Sequence, residues 1–119
     1  MLTYLEEIFR QVLMYVSPEI VMGPEDQSDI GDFFWEFGIQ ANYLELLPDE
    51  QELLVKLMGE VLGVDFSQSP VRTFPWEGPE DSPGGGRAKI EVFPTNKEEV
   101  AVHRITYDDG EVSYGIGPV

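Results

Sequence analysis

The chain contains no cysteine, and this absence removes several classes of function at once. Disulfide bonds, thiolate metal sites and cysteine nucleophiles are all excluded, and the composition is in keeping with a cytosolic protein. Histidine is almost as scarce, since His103 is the only one and lies beside Arg104 in a predicted strand. A single strand histidine without cysteine partners is typical of a packing or surface residue, and it does not indicate a zinc site or a catalytic base.

Basic residues are also scarce. The chain has 7 Lys and Arg against 23 Asp and Glu, which gives a formal net charge of −16 and an isoelectric point near 4.1. Affinity for nucleic acid comes mainly from Lys and Arg that displace counterions from phosphates, and anionic membranes are disfavoured for the same reason. The sequence therefore predicts no direct binding to nucleic acid or membranes. The partners it predicts are cations, calcium ions above all, or a basic protein.

A long uninterrupted apolar run is also missing. The N-terminal stretch MLTYLEEIFRQVLMYV interrupts its apolar side chains with Glu6, Glu7 and Arg10. It lacks the basic start and the small-residue cleavage site of a signal peptide, and it is too polar for a membrane span. We therefore expect a soluble, cytoplasmic protein.

What the chain does contain is enough apolar material for one folded domain. Its 119 residues are 42% hydrophobic and 12% aromatic, which is too apolar for a disordered acidic tail. Apolar residues recur at helical spacing from Leu5 to Val16, after the capping-box pair Thr3 and Glu6. This pattern predicts an amphipathic helix over residues 3–16 that is ended by Pro18.

A second helix is predicted to begin at Pro48, which suits the first helical position, and to be closed by Gly63. Between the two helices, residues 19–42 are predicted to contain a short helix capped at Ser28 or a short strand. Four aromatic side chains of this segment are expected in the core, namely Phe33, Phe34, Trp35 and Phe37.

The C-terminal third has a different pattern. Residues 64–86 are rich in proline and glycine and are predicted to form a loop without regular structure, with Phe66, Phe74 and Trp76 pinning part of it to the core. Alternating apolar and polar residues then predict three antiparallel strands in a meander. The expected fold is a single α+β domain: an acidic helical part (1–63), the loop (64–86) and the strands (87–119). Two or three N-terminal helices cover one face of the three-stranded sheet.

The negative charge is concentrated in the first two segments. Residues 1–86 hold 17 acidic and 3 basic residues, whereas residues 87–119 hold 6 and 4. No Lys or Arg lies between Arg10 and Lys56, yet ten Asp and Glu fall within residues 19–52. A solvated surface is the simplest interpretation. This charge density nevertheless favours a bound cation or a basic partner, because like charges held together destabilise the compact state unless they are neutralised.

Calcium is the first candidate, because Ca²⁺ takes oxygen ligands from carboxylates, backbone carbonyls and water. The stretch GPEDQSDIGD, residues 23–32, is not an EF-hand, since placing Gly31 at the invariant glycine puts Phe37 where a bidentate carboxylate is required. A site of another geometry is predicted. Its first-choice ligands are Asp26, Asp29, Asp32 and Glu36. The competing interpretation is ordinary helix chemistry, with Ser28 as N-cap and Asp29 and Asp32 in the first turn.

A second-choice metal cluster lies in a predicted hairpin turn and comprises Asp108, Asp109 and Glu111. Because Asp-Gly is a standard turn signal, the structural explanation is favoured for this cluster.

The sequence predicts no enzyme: its carboxylates are too numerous to single out an acid/base pair. The GGGR stretch at residues 84–87 lacks the Lys-Ser/Thr of a phosphate loop and precedes a strand. Neither catalytic nor cofactor-binding residues are assigned.

An alternative function uses the same charge differently. A protein that displays carboxylates at phosphate-like spacing mimics nucleic acid and occupies the basic groove of a DNA- or RNA-binding protein, as phage-encoded inhibitors and some bacterial regulators do. The size and charge of this chain fit such a role. Its acids, however, fall largely in predicted loops and first helical turns, where a linear phosphate-like track is harder to build.

In length, acidity and the absence of an EF-hand loop, the chain resembles the small acidic calcium-binding protein of cyanobacteria. The resemblance involves no shared motif and assigns no ligand position. It implies a protein that buffers Ca²⁺ through surface carboxylates. The sequence as a whole therefore predicts an intracellular calcium buffer or sensor, with the nucleic-acid mimic as the alternative.

Overall fold

The computed structural model describes residues 2–18, 28–34, 37–77 and 86–119. Helix α1 spans Leu2–Tyr15, α2 is a single turn at Gly31–Phe34, and α3 spans Pro48–Leu62. A 3₁₀ turn at Tyr43–Glu45 precedes α3. The strands are β1 (Ser28–Asp29), β2 (Arg72–Glu77), β3 (Arg87–Pro94), β4 (Ala101–Tyr107) and β5 (Val112–Gly117). The α+β class predicted from the sequence is confirmed.

Helix α1 forms where the apolar periodicity predicts it. Phe9, Val12 and Leu13 are fully buried on one face, and the ring of Phe9 stacks on that of Phe34 with centroids 5.4 Å apart. The helix begins at Leu2, so Thr3 lies inside its first turn and the predicted N-cap position is wrong. Its end at Tyr15 agrees with a stop before Pro18, whose ring cannot continue a helix.

Helix α3 matches its predicted bounds. Pro48 occupies the first position, and the Glu50 carboxylate accepts a hydrogen bond of 2.8 Å from the backbone N–H of Leu47. Gly63 follows the helix in the left-handed conformation, with φ of 69°. The buried face consists of Leu54, Leu57, Met58 and Leu62.

The sheet is antiparallel with strand order β1-β5-β4-β3-β2, so β3, β4 and β5 form the predicted meander. The sheet has two strands more than the predicted three. Strand β2 lies within the segment predicted as an irregular loop, and it pairs Phe74 with Ile90 and Trp76 with Ala88. Proline lacks the N–H that an inner strand must donate, but β2 is an edge strand, where Pro75 is tolerated.

The other additional strand, β1, lies in residues 19–42, for which a short strand was one of the two predicted alternatives, and it corrects the other alternative, a helix capped at Ser28. Ser28 and Asp29 pair with Ile116 and Gly115 of β5, and the helical turn starts only at Gly31. Ser28 is therefore not the N-cap. The reason is the anchoring of Ile30, which is fully buried and whose N–H donates to the carbonyl of Tyr114 at 3.1 Å. Phe33 and Phe34 are buried as predicted and Phe37 packs against the core, whereas Trp35 lies outside the described residues.

The helices cover one face of the sheet. This face contributes Phe93, Val102, Tyr114 and Ile116 to the cluster that contains the buried residues of α1 and α3. A smaller apolar cluster on the opposite face joins β2, β3 and β4, with Ala88, Ile90 and Ile105 at its centre and Phe74, Trp76 and Tyr107 packed around them. The expectation that Phe66, Phe74 and Trp76 are pinned to apolar clusters is thus confirmed.

The turn between β3 and β4 holds the ends of both long helices. The Asn96 amide donates to the carbonyl of Val61 at 3.1 Å, and its backbone N–H donates to Leu62 at 2.7 Å. The ammonium of Lys97 donates to the carbonyls of Leu13 and Met14 at 3.2 and 2.9 Å, and also to that of Val16. Carbonyls at a helix C-terminus lack hydrogen-bond donors within the helix. The β3–β4 turn therefore supplies donors to such carbonyls at the ends of both long helices.

Candidate functional site

The first-choice metal ligands are only partly within the described structure. Asp26 and Glu36 lie outside the described residues. The backbone of Asp29 lies in β1, opposite Gly115, and that of Asp32 lies in α2. The two positions therefore flank the start of a one-turn helix, three residues apart in sequence. Phe33 and Phe34 fix this backbone, because their N–H groups donate to the carbonyl of Ile30 at 3.0 and 3.2 Å.

The second-choice cluster forms the predicted β4–β5 hairpin turn. Asp109 accepts a hydrogen bond of 2.9 Å from the N–H of Glu111 through a carboxylate oxygen, which is an Asx-type turn bond. Gly110 has φ of 93°, a conformation that glycine adopts at no steric cost. The side chains of Asp108, Asp109 and Glu111 are all exposed. Turn formation accounts for Asp109 and Gly110 without a ligand.

The described residues do not bring a metal-ligating group together. Within residues 2–18, 28–34, 37–77 and 86–119, no three His, Asp or Glu side chains converge as they would around a metal ion. In the same ranges, no helix has the length and the apolar content of a membrane span.

The basic side chains are largely engaged inside the protein. Arg10 contacts Glu6 and Glu60 at 3.2 Å, and Arg104 contacts Glu91 at 3.0 Å. Lys97 is bound to the end of α1, and the guanidinium of Arg72 lies 4.8 Å from the centroid of the Phe74 ring. Longer contacts join Lys56 to Glu60 and Arg87 to Glu77. Among the described residues, these cations therefore form ion pairs with four carboxylates, those of Glu6, Glu60, Glu77 and Glu91.

The least exposed ion pair belongs to the sheet. Arg104 and Glu91 face each other across β4 and β3, with exposed side-chain fractions of 27% and 14%, and Arg104 also stacks on Phe93. The hydrogen bond from Arg104 lowers the pKa of Glu91 and raises that of Arg104. Burial raises the pKa of the neighbouring Tyr114 hydroxyl. These shifts are those of a structural ion pair that braces the sheet beneath the helices.

The start of α3 carries carboxylates that lack such partners. Glu45, Asp49, Glu50 and Glu52 lie within eight residues, and none of them forms an ion pair within the described part of the chain. Glu45 and Glu50 each accept one backbone N–H, from Asn42 and Leu47. Asp49 and Glu52 are exposed. These four carboxylates define what we call the α3 acidic surface. The helix N-terminus stabilises Asp49 and Glu50, which lie in the first turn of α3, but the charge of the four carboxylates remains available to a partner.

An apolar groove adjoins the α3 acidic surface. It has a volume of about 540 Å³, and its apolar lining is formed by Tyr4, Leu5, Ile8, Ile39 and Leu47. Asp49 and Glu50 complete the lining. The rim is unusually open, since 59% of Tyr4 and 65% of Leu47 are exposed. We call this feature the α1–α3 groove.

Sequence reasoning missed the groove residues. The periodicity of α1 accounts for Leu5 and Ile8 as core positions, and it gives no sign that Tyr4 stays exposed beside them. Leu47 offers the one usable signal, because an apolar residue directly before the Pro48 helix start is expected to pack or to be covered. The structure leaves it among the most exposed apolar residues.

Comparisons with known proteins add no family assignment. Neither the protein-family models, nor the curated proteins, nor the solved structures include one that matches this chain.

Proposed function

We propose that this protein is a binding module for a basic protein partner, which it engages through the α3 acidic surface. The observation that supports the proposal is the charge imbalance at that surface. Four carboxylates lie within eight residues, none of them forms an ion pair in the described structure, and basic side chains such as Arg10, Lys97 and Arg104 are bound elsewhere. A partner with Lys and Arg at its surface supplies the missing charge. Inhibition of a nucleic-acid-binding protein through its basic groove is one form of this function.

The test is non-covalent capture of partners from a lysate of the source cells on the immobilised protein, followed by washing at increasing salt. The expected result is a partner with a basic surface that is retained at about 0.1 M salt and released towards 1 M, because the Debye length falls from about 10 to 3 Å over that range. A control protein of similar net charge and unrelated fold should not retain it. Retention by the control, or retention that is insensitive to salt, contradicts the proposal.

Calcium binding is the second candidate, and one observation favours it. The β1–α2 junction fixes the backbone at Asp29 and Asp32 through buried Ile30, Phe33 and Phe34, so two carboxylate-bearing positions stand three residues apart on a firmly held support. Carboxylate oxygens are ligands that Ca²⁺ takes, and the rigidity of a site helps to set its affinity. The proposed ligands remain Asp26, Asp29, Asp32 and Glu36, and the role would be that of a buffer or sensor.

Calorimetric titration with Ca²⁺ and Mg²⁺ tests the second candidate. Saturable Ca²⁺ binding tighter than about millimolar, the weak end of natural calcium sites, is expected if it holds. Replacing Asp29 and Asp32 together with Asn should abolish the tightest step. The matched control is the pair Glu98→Gln and Glu99→Gln, which removes the same charge from exposed positions of the β3–β4 turn that belong to neither candidate cluster. Equal weakening by both pairs contradicts a defined site and indicates diffuse binding.

A further inference from the structure

The α1–α3 groove combines apolar and acidic residues. Five of its lining residues are apolar, and the other two are Asp49 and Glu50. Exposed apolar area of this kind disfavours solubility and marks binding grooves when polar residues surround it. The volume of about 540 Å³ lies within the range of about 300 to 1,000 Å³ that is typical of ligand sites.

The negative charge beside the groove indicates which class of ligand can bind there. Asp49 and Glu52 of the α3 acidic surface are exposed, and the protein as a whole carries −16. An anionic or acidic ligand would be repelled, whereas an apolar segment flanked by Lys or Arg would gain both burial and charge pairing. The two long helices frame the opening, an arrangement in which amphipathic helices dock by inserting side chains from one face.

We infer that the α1–α3 groove is the docking site for an amphipathic basic segment of a protein partner. Apolar side chains of that segment lie against Tyr4, Leu5, Ile8, Ile39 and Leu47, and its Lys or Arg side chains face Asp49 and the rest of the α3 acidic surface. The inference rests on the proposed function and adds to it the location of the contact and the chemistry of the partner's segment.

The test uses a labelled helical peptide of about fourteen residues, built from Leu on one face and Lys on the other. Two peptides serve as controls: the same pattern with Glu in place of Lys, and a scrambled Leu/Lys sequence of identical composition. Fluorescence anisotropy measures binding to the full chain, and amide chemical shifts locate it. The expected result is saturable binding of the patterned basic peptide alone, with shifts around the groove.

Variants then separate the groove from the general charge. Tyr4→Gln and Leu47→Gln should each weaken peptide binding about tenfold or more, because each removes most of an apolar contact. Met14→Gln is the matched control: it removes another exposed apolar side chain of α1, 69% exposed and absent from the groove lining, and should change the affinity less than about twofold. Asp49→Asn should weaken binding at low salt, whereas Asp109→Asn, in the β4–β5 hairpin and absent from the groove lining, should not.

The outcomes distinguish the groove from the proposed function. Binding of the peptide and of a captured partner could depend on salt and on Asp49 and yet be unchanged by Tyr4→Gln and Leu47→Gln. In that case the groove is not the docking site, and the proposed function of the α3 acidic surface stands. If the protein binds its own copies through the groove, or if the scrambled and patterned peptides bind equally, the inferred occupant is also wrong. If no basic peptide or partner shows salt-sensitive binding, both the groove and the proposed function fail.

Discussion

The ammonium nitrogen of Lys97 lies 2.9 Å from the carbonyl oxygen of Met14, although 83 residues separate them in the sequence. The same ammonium also reaches the carbonyls of Leu13 and Val16. Favourable attraction to the negative end of the helix dipole adds to these hydrogen bonds, and burial lowers the pKa of the Lys97 side chain. The β3–β4 turn thereby fastens α1 to the sheet, and α1 supplies one wall of the α1–α3 groove.

Replacing Lys97 with Met should destabilise the fold by about 2 kcal/mol, because hydrogen bonds from a charged donor are lost and helix-end carbonyls lose their partner. Urea denaturation monitored by circular dichroism measures the change. Lys89→Met is the matched control, since Lys89 is exposed on β3, and it should cost less than about 0.5 kcal/mol. Equal stability of the two variants would show that the contact with α1 contributes nothing.

Two glycines at the end of α3 should respond in opposite directions. Gly59 lies inside the helix, and a Cβ atom there would approach the Val64 carbonyl oxygen no closer than 3.4 Å, so Gly59→Ala should stabilise by about 0.5 to 1 kcal/mol. Gly63 has φ of 69° and its Cβ would meet the Asn96 side chain, so Gly63→Ala should destabilise by about 1 to 2 kcal/mol. Thermal denaturation of both variants measures the two changes in stability. Changes of the same sign would refute the prediction.

The ion pair between Glu91 and Arg104 predicts a specific dependence of stability on pH. The pKa of Glu91 is lowered in the folded state, so the unfolded chain binds its proton more readily. The stabilisation is therefore present above the ordinary Glu pKa of 4.5 and is lost as the pH falls through the folded value.

Wild type and Glu91→Gln should accordingly differ by about 1 kcal/mol in unfolding free energy at pH 7, with the difference shrinking below pH of about 4. Urea titrations across this pH range measure it. Glu98→Gln, which changes an exposed carboxylate in the β3–β4 turn, serves as the control and should show little difference at any pH. A difference for Glu91→Gln that stays constant with pH would mean that the pair does not stabilise through its charge.

The sequence predicted those parts of the fold that depend on local patterns. Apolar periodicity located α1 and α3, and alternation located β3 to β5. Strand β2 was missed because four prolines and several glycines in residues 64–86 dominate the local signal, and only the edge position in the sheet makes Pro75 acceptable. A short strand was only one of two alternatives for residues 19–42, because the two residues of β1 are held by pairing with β5, which lies more than eighty residues away.

The candidate site was less predictable for the same reason. The sequence shows the acidic residues of α3 and of the segment just before it. The α1–α3 groove, however, is formed by residues 4–8 together with residues 39–50, which come together only when the two helices pack. The role of Lys97 is equally non-local. A lone lysine in a turn carries no signal that it caps a helix far away in the sequence.

In the proposed function, carboxylates of the α3 acidic surface bind a basic partner. The affinity of the captured partner, measured at about 0.1 M and 1 M salt for three forms of the protein, tests it most directly. The forms are wild type, the pair Asp49→Asn with Glu52→Gln, and the pair Asp108→Asn with Asp109→Asn, the last two matched in charge lost. The prediction is that the α3 pair weakens binding about tenfold or more at low salt and that the hairpin pair leaves it within about twofold. Equal weakening by the two pairs, or no weakening by either, would contradict the account.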